Sequence, residues 1–169
     1  GDAELIGELH HCEDLCFEYN NILPSKAAER DALIRCILGM AGEGLNIHSP
    51  FHCDFGYHIE VGDFFFANFN LTILDENLVT FGDHVFIGPN CSFYTAVHPL
   101  DIERRNQNIE AALPIHVGSN VWFGGNVTVL PGVTIGNNTT IGAGSVVTCD
   151  IPDNVVAVGN PCRVIRKLR

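Results

Sequence analysis

Hydrophobic and polar positions recur every six residues along much of this chain, most regularly from Val117 to Cys149. That stretch reads Val117-Gly118-Ser119-Asn120-Val121-Trp122, Phe123-Gly124-Gly125-Asn126-Val127-Thr128 and Val129-Leu130-Pro131-Gly132-Val133-Thr134. Ile135-Gly136-Asn137-Asn138-Thr139-Thr140 and Ile141-Gly142-Ala143-Gly144-Ser145-Val146 follow, and Val147 opens a further hexad. The first place is always Val, Ile or Phe, the second is usually Gly, and the fifth holds a smaller side chain. A period of six fits neither an amphipathic helix nor a plain strand. It is the signature of a parallel β-helix, in which each hexad is one short strand and a corner. Because strand residues alternate faces, the first and fifth places point inward and stack on their counterparts in the next coil. Gly in the second place is expected to turn the corner through positive φ, with Asn120, Asn126, Asn137 and Asn138 as the next most tolerant residues. Three hexads close one triangular coil. A β-sandwich with turns every eight to twelve residues does not keep consecutive hexads in phase.

Ahead of the ladder the period changes. Leu5, Ile6, Leu9, Cys12, Leu15, Cys16 and Tyr19 recur at three and four residues, predicting a helix from Asp2 to about Tyr19. Pro24 ends the linker that follows. Ser25 is the predicted N-cap of a second helix with Leu33, Ile34, Ile37 and Leu38 on one face and a stop near Gly42. Residues 1–45 are thus expected to form a helical segment and residues 46–169 a β-helix domain. The sixfold rhythm starts near His48 and runs through Val61, Ala67, Ile73 and Val79. At Asp75-Glu76-Asn77 the phase shifts by two before Phe81, Ile87 and Phe93. Continuing in sixes would then bury Pro99 and Arg105, and a buried unpaired Arg is too costly. Residues 99–113 are therefore predicted to leave the tube as a loop with His98 at its root. Long ordered excursions from compact domains usually carry function. The prism resumes at Pro114-Ile115-His116-Val117, and Val155 to Ile165 reads as one last strand with a turn that caps the open end.

Composition narrows the partners. The chain of 169 residues is 46% hydrophobic, yet it shows no apolar run of membrane-spanning length and no signal peptide at its start. Seven scattered Cys suit reduced thiols and a cytoplasmic home. A net charge of −11 argues against nucleic acid or an anionic membrane as partner. The sign is not uniform: Arg163, Arg166, Lys167 and Arg169 crowd the last seven residues, a basic clasp suited to an anionic ligand. His10-His11-Cys12 with Cys16 lacks a second ligand pair at zinc-site spacing, and Cys12 and Cys16 fall on the helix's apolar face, so packing is the expected role.

Several segments together resemble the hexapeptide-repeat acetyltransferases, in the galactoside and maltose O-acetyltransferase branch. They are Cys53-Asp54-Phe55-Gly56-Tyr57, Phe66-Ala67-Asn68-Phe69-Asn70, Tyr94-Thr95-Ala96-Val97-His98-Pro99, Asn120-Val121-Trp122-Phe123-Gly124-Gly125 and Gly159-Asn160-Pro161-Cys162-Arg163-Val164-Ile165. The resemblance covers almost the whole chain. It implies a mainly β architecture, a left-handed parallel β-helix with N-terminal helices and an excursion loop. It also implies a homotrimer with active sites between neighbouring prisms, acetyl-CoA as donor, no metal, and a sugar or similar small hydroxylated acceptor. Family members carry a further segment ahead of the position of Asp2 that contributes an acceptor-site residue, and this sequence opens at Gly1-Asp2-Ala3.

Moving an acetyl group from a thioester to an alcohol needs a base for the hydroxyl and donors for the oxyanion. Histidine suits the first task near neutrality. The resemblance places that base at His98 and gives Asn68 the role of facing it across the subunit interface. Asp54 and Glu76 match acceptor-contact positions, with Asp75 as a substitute because the family often has Asp where Glu76 stands. Glu110 is a candidate to orient His98. For the donor, the resemblance runs the pantetheine arm past Trp122, Gly125, Ala143 and Thr148, with the Gly125 amide as oxyanion donor. Cys149 stands where some relatives carry Lys, and Arg163 and Arg166 match residues at the nucleotide end. Competing readings are an acetyltransferase for a non-sugar acceptor such as serine or an antibiotic, a γ-type carbonic anhydrase using His98 and His116, and a β-helix that binds without chemistry.

Overall fold

A computed structural model describes residues 3–169 of the chain. Three ribbons of short strands, mostly parallel, form the three faces of a prism. The first face stacks Met40–Ala41, Ile59–Val61, Val79–Phe81, Ile115–Val117 and Thr134–Ile135. On the second lie Asn46–Ile47, Phe66–Ala67, Phe86–Ile87, Trp122–Phe123, Thr140–Ile141 and Val155–Gly159, closed by the antiparallel strand Cys162–Lys167. The third holds Phe51–Cys53, Leu71–Leu74, Ser92–Tyr94, Thr128–Val129 and Val146–Val147. This is the parallel β-helix that the hexads predict, left-handed as the resemblance implies. Its end differs in detail: Val155 to Ile165 makes two antiparallel strands turning at Asn160-Pro161, and most of the second is exposed.

The hexad assignments hold inside the tube. First-place Val117, Phe123, Val129, Ile135, Ile141 and Val147 are all buried, as are fifth-place Val121, Val127, Val133, Thr139 and Ser145. Phe65, Phe81, Phe93 and Phe123 form an edge-to-face column with centroid separations of 5.1, 5.0 and 5.3 Å. Such contacts add about 0.5–1.5 kcal/mol per pair beyond burial.

The corners work differently from expectation. Second-place Gly118 and Gly124 are not among the residues with positive φ. They are needed because the coils approach closely there. A Cβ on Gly124 would lie 2.6 Å from the Ala143 nitrogen, and one on Gly118 would lie 2.8 Å from the Asn137 nitrogen. Positive φ belongs instead to the fourth place, at Asn120, Asn126 and Asn138. Asn137 is not one of these; its side-chain oxygen accepts from the Ser119 amide at 2.8 Å. It belongs to a vertical ladder in which Asp63, Asp83, Ser119, Asn137 and Asp153 each accept from the backbone one coil away.

That ladder also measures the coils. Its partners are 20 residues apart in the lower coils, 36 across the excursion, then 18 and 16 towards the top. The extra residues of the lower coils fall between the third and first faces, in the segments joining Cys53 to Ile59 and Leu74 to Val79. The excursion leaves from the same corner. Every long departure from the hexad is therefore stacked on one edge of the prism.

Helix α1 (Ala3–Asn21) and helix α2 (Ala27–Ile37) cover the lower end. Of α1, Cys12, Cys16 and Tyr19 are buried, whereas Leu5 and Ile6 of the predicted apolar face are exposed. Helix α2 buries Ile34 and Ile37, and Leu38 beyond its end is also buried. Its N-cap is Lys26 with no side-chain cap bond, so Ser25 does not cap it, and it stops at Ile37, well short of Gly42. The helices are tied to the first coil by polar contacts. The Tyr19 hydroxyl donates to the Ile47 carbonyl at 2.5 Å, and the Arg30 guanidinium lies 4.4 Å over the Tyr19 ring while donating to Ile47 and Ser49. Asn20 exchanges two hydrogen bonds with the Phe51 backbone. No helix among the described residues is long and apolar enough to cross a membrane.

Candidate active site

The irregular edge collects carboxylates. Asp75 is fully buried, and one carboxylate oxygen accepts from the Asp54 and Phe55 amides at 2.9 and 3.0 Å. Burial pushes its carboxyl up, against the pull of those backbone donors. The His58 Nδ1 donates to the Asp75 carbonyl at 2.7 Å. Asp75 thus frames the corner from within, and the expectation that it substitutes for Glu76 as an acceptor contact gives way to this positioning role. Asp54 is only half buried. Burial, then the charges of Glu76 and Asp75, a hydrogen bond to Glu76 and the more distant Glu110 raise its carboxyl to about 7. The Asp54 carboxyl is thus the group at this corner whose charge burial and its acidic neighbours oppose most directly.

Thr95, which the sequence reading passed over as part of a motif, is fully buried at this corner. Its hydroxyl donates to the Leu74 carbonyl at 2.7 Å, accepts from the Asn77 amide at 3.1 Å and lies 3.2 Å from Glu76 Oε2. Asn77 Nδ2 donates to the Ala112 carbonyl at 2.8 Å, which ties the base of the excursion to the acidic corner. The signal missed was burial: one buried hydroxyl here serves three neighbours.

The excursion is an arm with its own structure. It leaves the prism one residue after Thr95, with Ala96 and Val97 pairing antiparallel to Ala112 and Ala111. Helix α3 (Ile102–Asn106) sits at its far end, with Asp101 accepting from the Arg104 amide at 2.9 Å as N-cap. His98 accordingly stands beyond the paired segment, a little outward of the root where the loop over 99–113 would have placed it. Its imidazole is 61% exposed, and Nε2 lies 3.6 Å from Glu110 Oε1. That distance suits an ion pair better than a tight hydrogen bond. The same Glu110 acts electrostatically on Asp54. One edge thus gathers His98, Glu110, Asp54 and Glu76.

Asn68 is elsewhere. It follows Phe66–Ala67 at the corner between the second and third faces, and its side-chain oxygen accepts from the Phe69 amide at 2.8 Å. Gly125 and Ala143 lie at that same corner higher up, where the Gly144 amide donates to the Gly125 carbonyl at 2.9 Å. Trp122 projects from the second face, 58% exposed, in register with Phe86 below and Thr140 above. Thr148 and Cys149 follow the last strand of the third face and are exposed. Arg163 Nη1 reaches to 4.0 Å from Cys149 Sγ and donates to its neighbour's carbonyl at 2.8 Å, while Arg166 lies exposed in the outer strand opposite Val156. Within one chain the sequence-derived residues therefore fall into an acidic, His98-bearing edge and an upper surface ending in arginines. His116 is turned to Thr80, 2.8 Å away, and among the described residues the one group placed to ligate a metal contains no histidine.

Comparison with known proteins follows the same outline. The profile of bacterial transferase hexapeptide repeats (six repeats) matches residues 114–149, and that of the maltose acetyltransferase hexapeptide capping motif matches residues 1–42. The galactoside O-acetyltransferase of Escherichia coli K12 is 46% identical over 154 residues, covering 91% of this chain and 76% of its own. The crystal structure of a maltose O-acetyltransferase from Clostridium difficile 630 superposes with a TM-score of 0.98 at 46% identity, covering 99% of this chain and 90% of that one. A galactoside acetyltransferase solved with coenzyme A gives 0.97 at 43% identity, covering 100% and 86%.

Proposed function

We propose that this chain, which belongs to the hexapeptide-repeat acetyltransferases of the maltose and galactoside O-acetyltransferase type, acetylates a hydroxyl of a sugar with His98 as general base. It is an acyltransferase, and its acetyl donor is acetyl-CoA. The observation that carries the reading is the stacking of all long departures from the hexad on one edge, where the exposed His98 imidazole lies 3.6 Å from the Glu110 carboxylate.

In the proposed reaction His98 Nε2 takes the proton of the acceptor hydroxyl as its oxygen attacks the thioester carbonyl. The carbonyl electrons move to oxygen, and the Gly125 amide donates to that oxyanion. The carbonyl then re-forms, the carbon–sulfur bond breaks, and the departing CoA sulfur recovers the proton from the imidazolium. Glu110 holds the ring through its side-chain contact, and Asp54 and Glu76 bond acceptor hydroxyls. Trp122, Gly125, Ala143 and Thr148 line the pantetheine path, where small residues admit a thin chain close to the coils. Cys149, Arg163 and Arg166 lie towards the nucleotide, where charge-assisted bonds from guanidinium to phosphate explain a basic end on an acidic protein.

Asn68 serves the site of a neighbouring subunit in this reading, because it lies on a different corner from His98 in its own chain. A homotrimer is supported by the exposed Phe86, Trp122 and Phe69 on and beside one face, and by Leu100, 93% exposed on the arm. The free cysteines favour a reducing, cytoplasmic setting.

The test is a screen of CoA thiol release from acetyl-CoA across galactosides, maltose, serine, hydroxylated antibiotics and amino sugars, with each product isolated. One O-acetyl ester per thiol, formed with a sugar, is the expected result. Amide products, turnover confined to the non-sugars, or thiol released without an acetylated acceptor would contradict the proposal.

A further inference from the structure

Away from this site, three thiols meet where helix α1 lies on the third face. Cys12 and Cys16 are one turn apart on the buried side of the helix, and Cys53 ends the strand Phe51–Cys53 beneath them. Cys53 Sγ is 3.6 Å from Cys12 Sγ and 3.7 Å from Cys16 Sγ, and all three sulfurs lie within 4.8 Å of one another. The residues are 3%, 4% and 7% exposed. Their sequence separations of 41 and 37 explain why the linear pattern showed only the first two, as packing residues.

The spacing has a coordination meaning. A point equidistant from three sulfurs so arranged lies roughly 2.0–2.4 Å from each, against about 2.3 Å for a zinc–thiolate bond. The donor set is all sulfur, which selects thiophilic ions over hard ones. His52 points to the opposite side of its strand and adds no ligand beside Cys53. A cleft of about 490 Å³ is lined by Glu13, Cys16, Asn20, Cys53 and Asp54, so it borders two of the three cysteines. It supplies both an entry path and room for water in a fourth position.

We propose that Cys12, Cys16 and Cys53 bind one thiophilic divalent cation of the zinc class, bridging helix α1 to the prism. Three sulfur–metal bonds form, and the thiol protons leave to solvent. Occupancy pins Cys53, the chain neighbour of Asp54, and so links the helical cap to the acidic corner.

The experiment uses the full chain, reduced and then freed of reductant under anaerobic conditions, titrated with cadmium(II) as spectroscopic probe. The ultraviolet sulfur-to-cadmium charge-transfer band is expected to saturate at one ion per chain, and to appear also when cadmium(II) is added to chain already loaded with one equivalent of zinc(II), because the softer ion displaces zinc from thiolates. Cys36→Ser and Cys91→Ser should keep the band. Cys12→Ser and Cys16→Ala should weaken cadmium binding by at least about 100-fold, since even loss of an outer-shell partner costs 10–100-fold. Circular dichroism establishes that each variant is folded, and the milder Cys16→Ser replaces any that is not. A folded, reduced parent that shows no stoichiometric band overturns the proposal. So does a band that survives Cys16 replacement.

Discussion

Replacing His98 by alanine should lower kcat by about 100- to 10,000-fold, the usual worth of a positioned general base. Acetyl-CoA affinity and melting temperature should stay near those of the parent. The structure argues for so clean a separation. The imidazole is 61% exposed, and its one ion-pair partner is Glu110 at 3.6 Å, so no core is disturbed by its removal. It also stands on the arm, away from Gly125, Ala143 and Arg163. A loss confined to kcat, read by steady-state kinetics beside equilibrium binding of acetyl-CoA, identifies a group used in the chemical step. Unchanged turnover would remove His98 from the mechanism. Equal losses in acetyl-CoA binding would make it a binding residue.

Phe93→Ala should produce the largest loss of stability, about 3–5 kcal/mol. Phe93 is wholly buried in the middle of the aromatic column, 5.0 Å from Phe81 and 5.3 Å from Phe123 between ring centroids. Stacked coils leave little freedom to collapse into the space, because the backbone ladder on each side fixes their separation. The melting temperature should fall by roughly 10 °C in thermal scans at fixed protein concentration. The site should feel the change as well, since Ser92–Tyr94 leads directly to Thr95 and the arm. Phe93→Leu, which keeps most of the volume, should recover much of the loss. A Phe93→Ala chain that melts within a degree or two of the parent would contradict this packing account.

What the sequence revealed and what it hid divide along physical lines. Inward places of the hexad were legible because burial alone selects Val, Ile and Phe there, and each of Val117, Phe123, Val129, Ile135, Ile141 and Val147 is inside. The right glycines were found for the wrong reason. Gly118 and Gly124 answer to Asn137 and Ala143 in the neighbouring coil, a contact that no local pattern displays, whereas Asn120 and Asn126 answer to their own φ. The register shift at Asp75-Glu76-Asn77 was visible, but its twin in the segment from Cys53 to Ile59 lay too early in the ladder to show a phase. Without that twin, the stacking of both on the edge below the arm could not be read. Asp75 and Cys53 were hidden by residue type. A buried carboxylate looks like a surface acid in sequence, and a thiol that meets two others 37 and 41 residues away looks like ordinary core.

The central claim is that chemistry occurs where prisms meet, with His98 from one subunit and Asn68 from the next. Co-expression of His98→Ala and Asn68→Ala chains tests it directly. Each variant alone is expected to be nearly inactive. In randomly mixed trimers roughly a quarter of the sites pair an intact His98 with an intact Asn68. The account therefore predicts recovery to about a quarter of parental turnover in the equimolar mixture. If both residues served the same subunit's site, or if the enzyme worked as a monomer, the mixture would stay as inactive as its components.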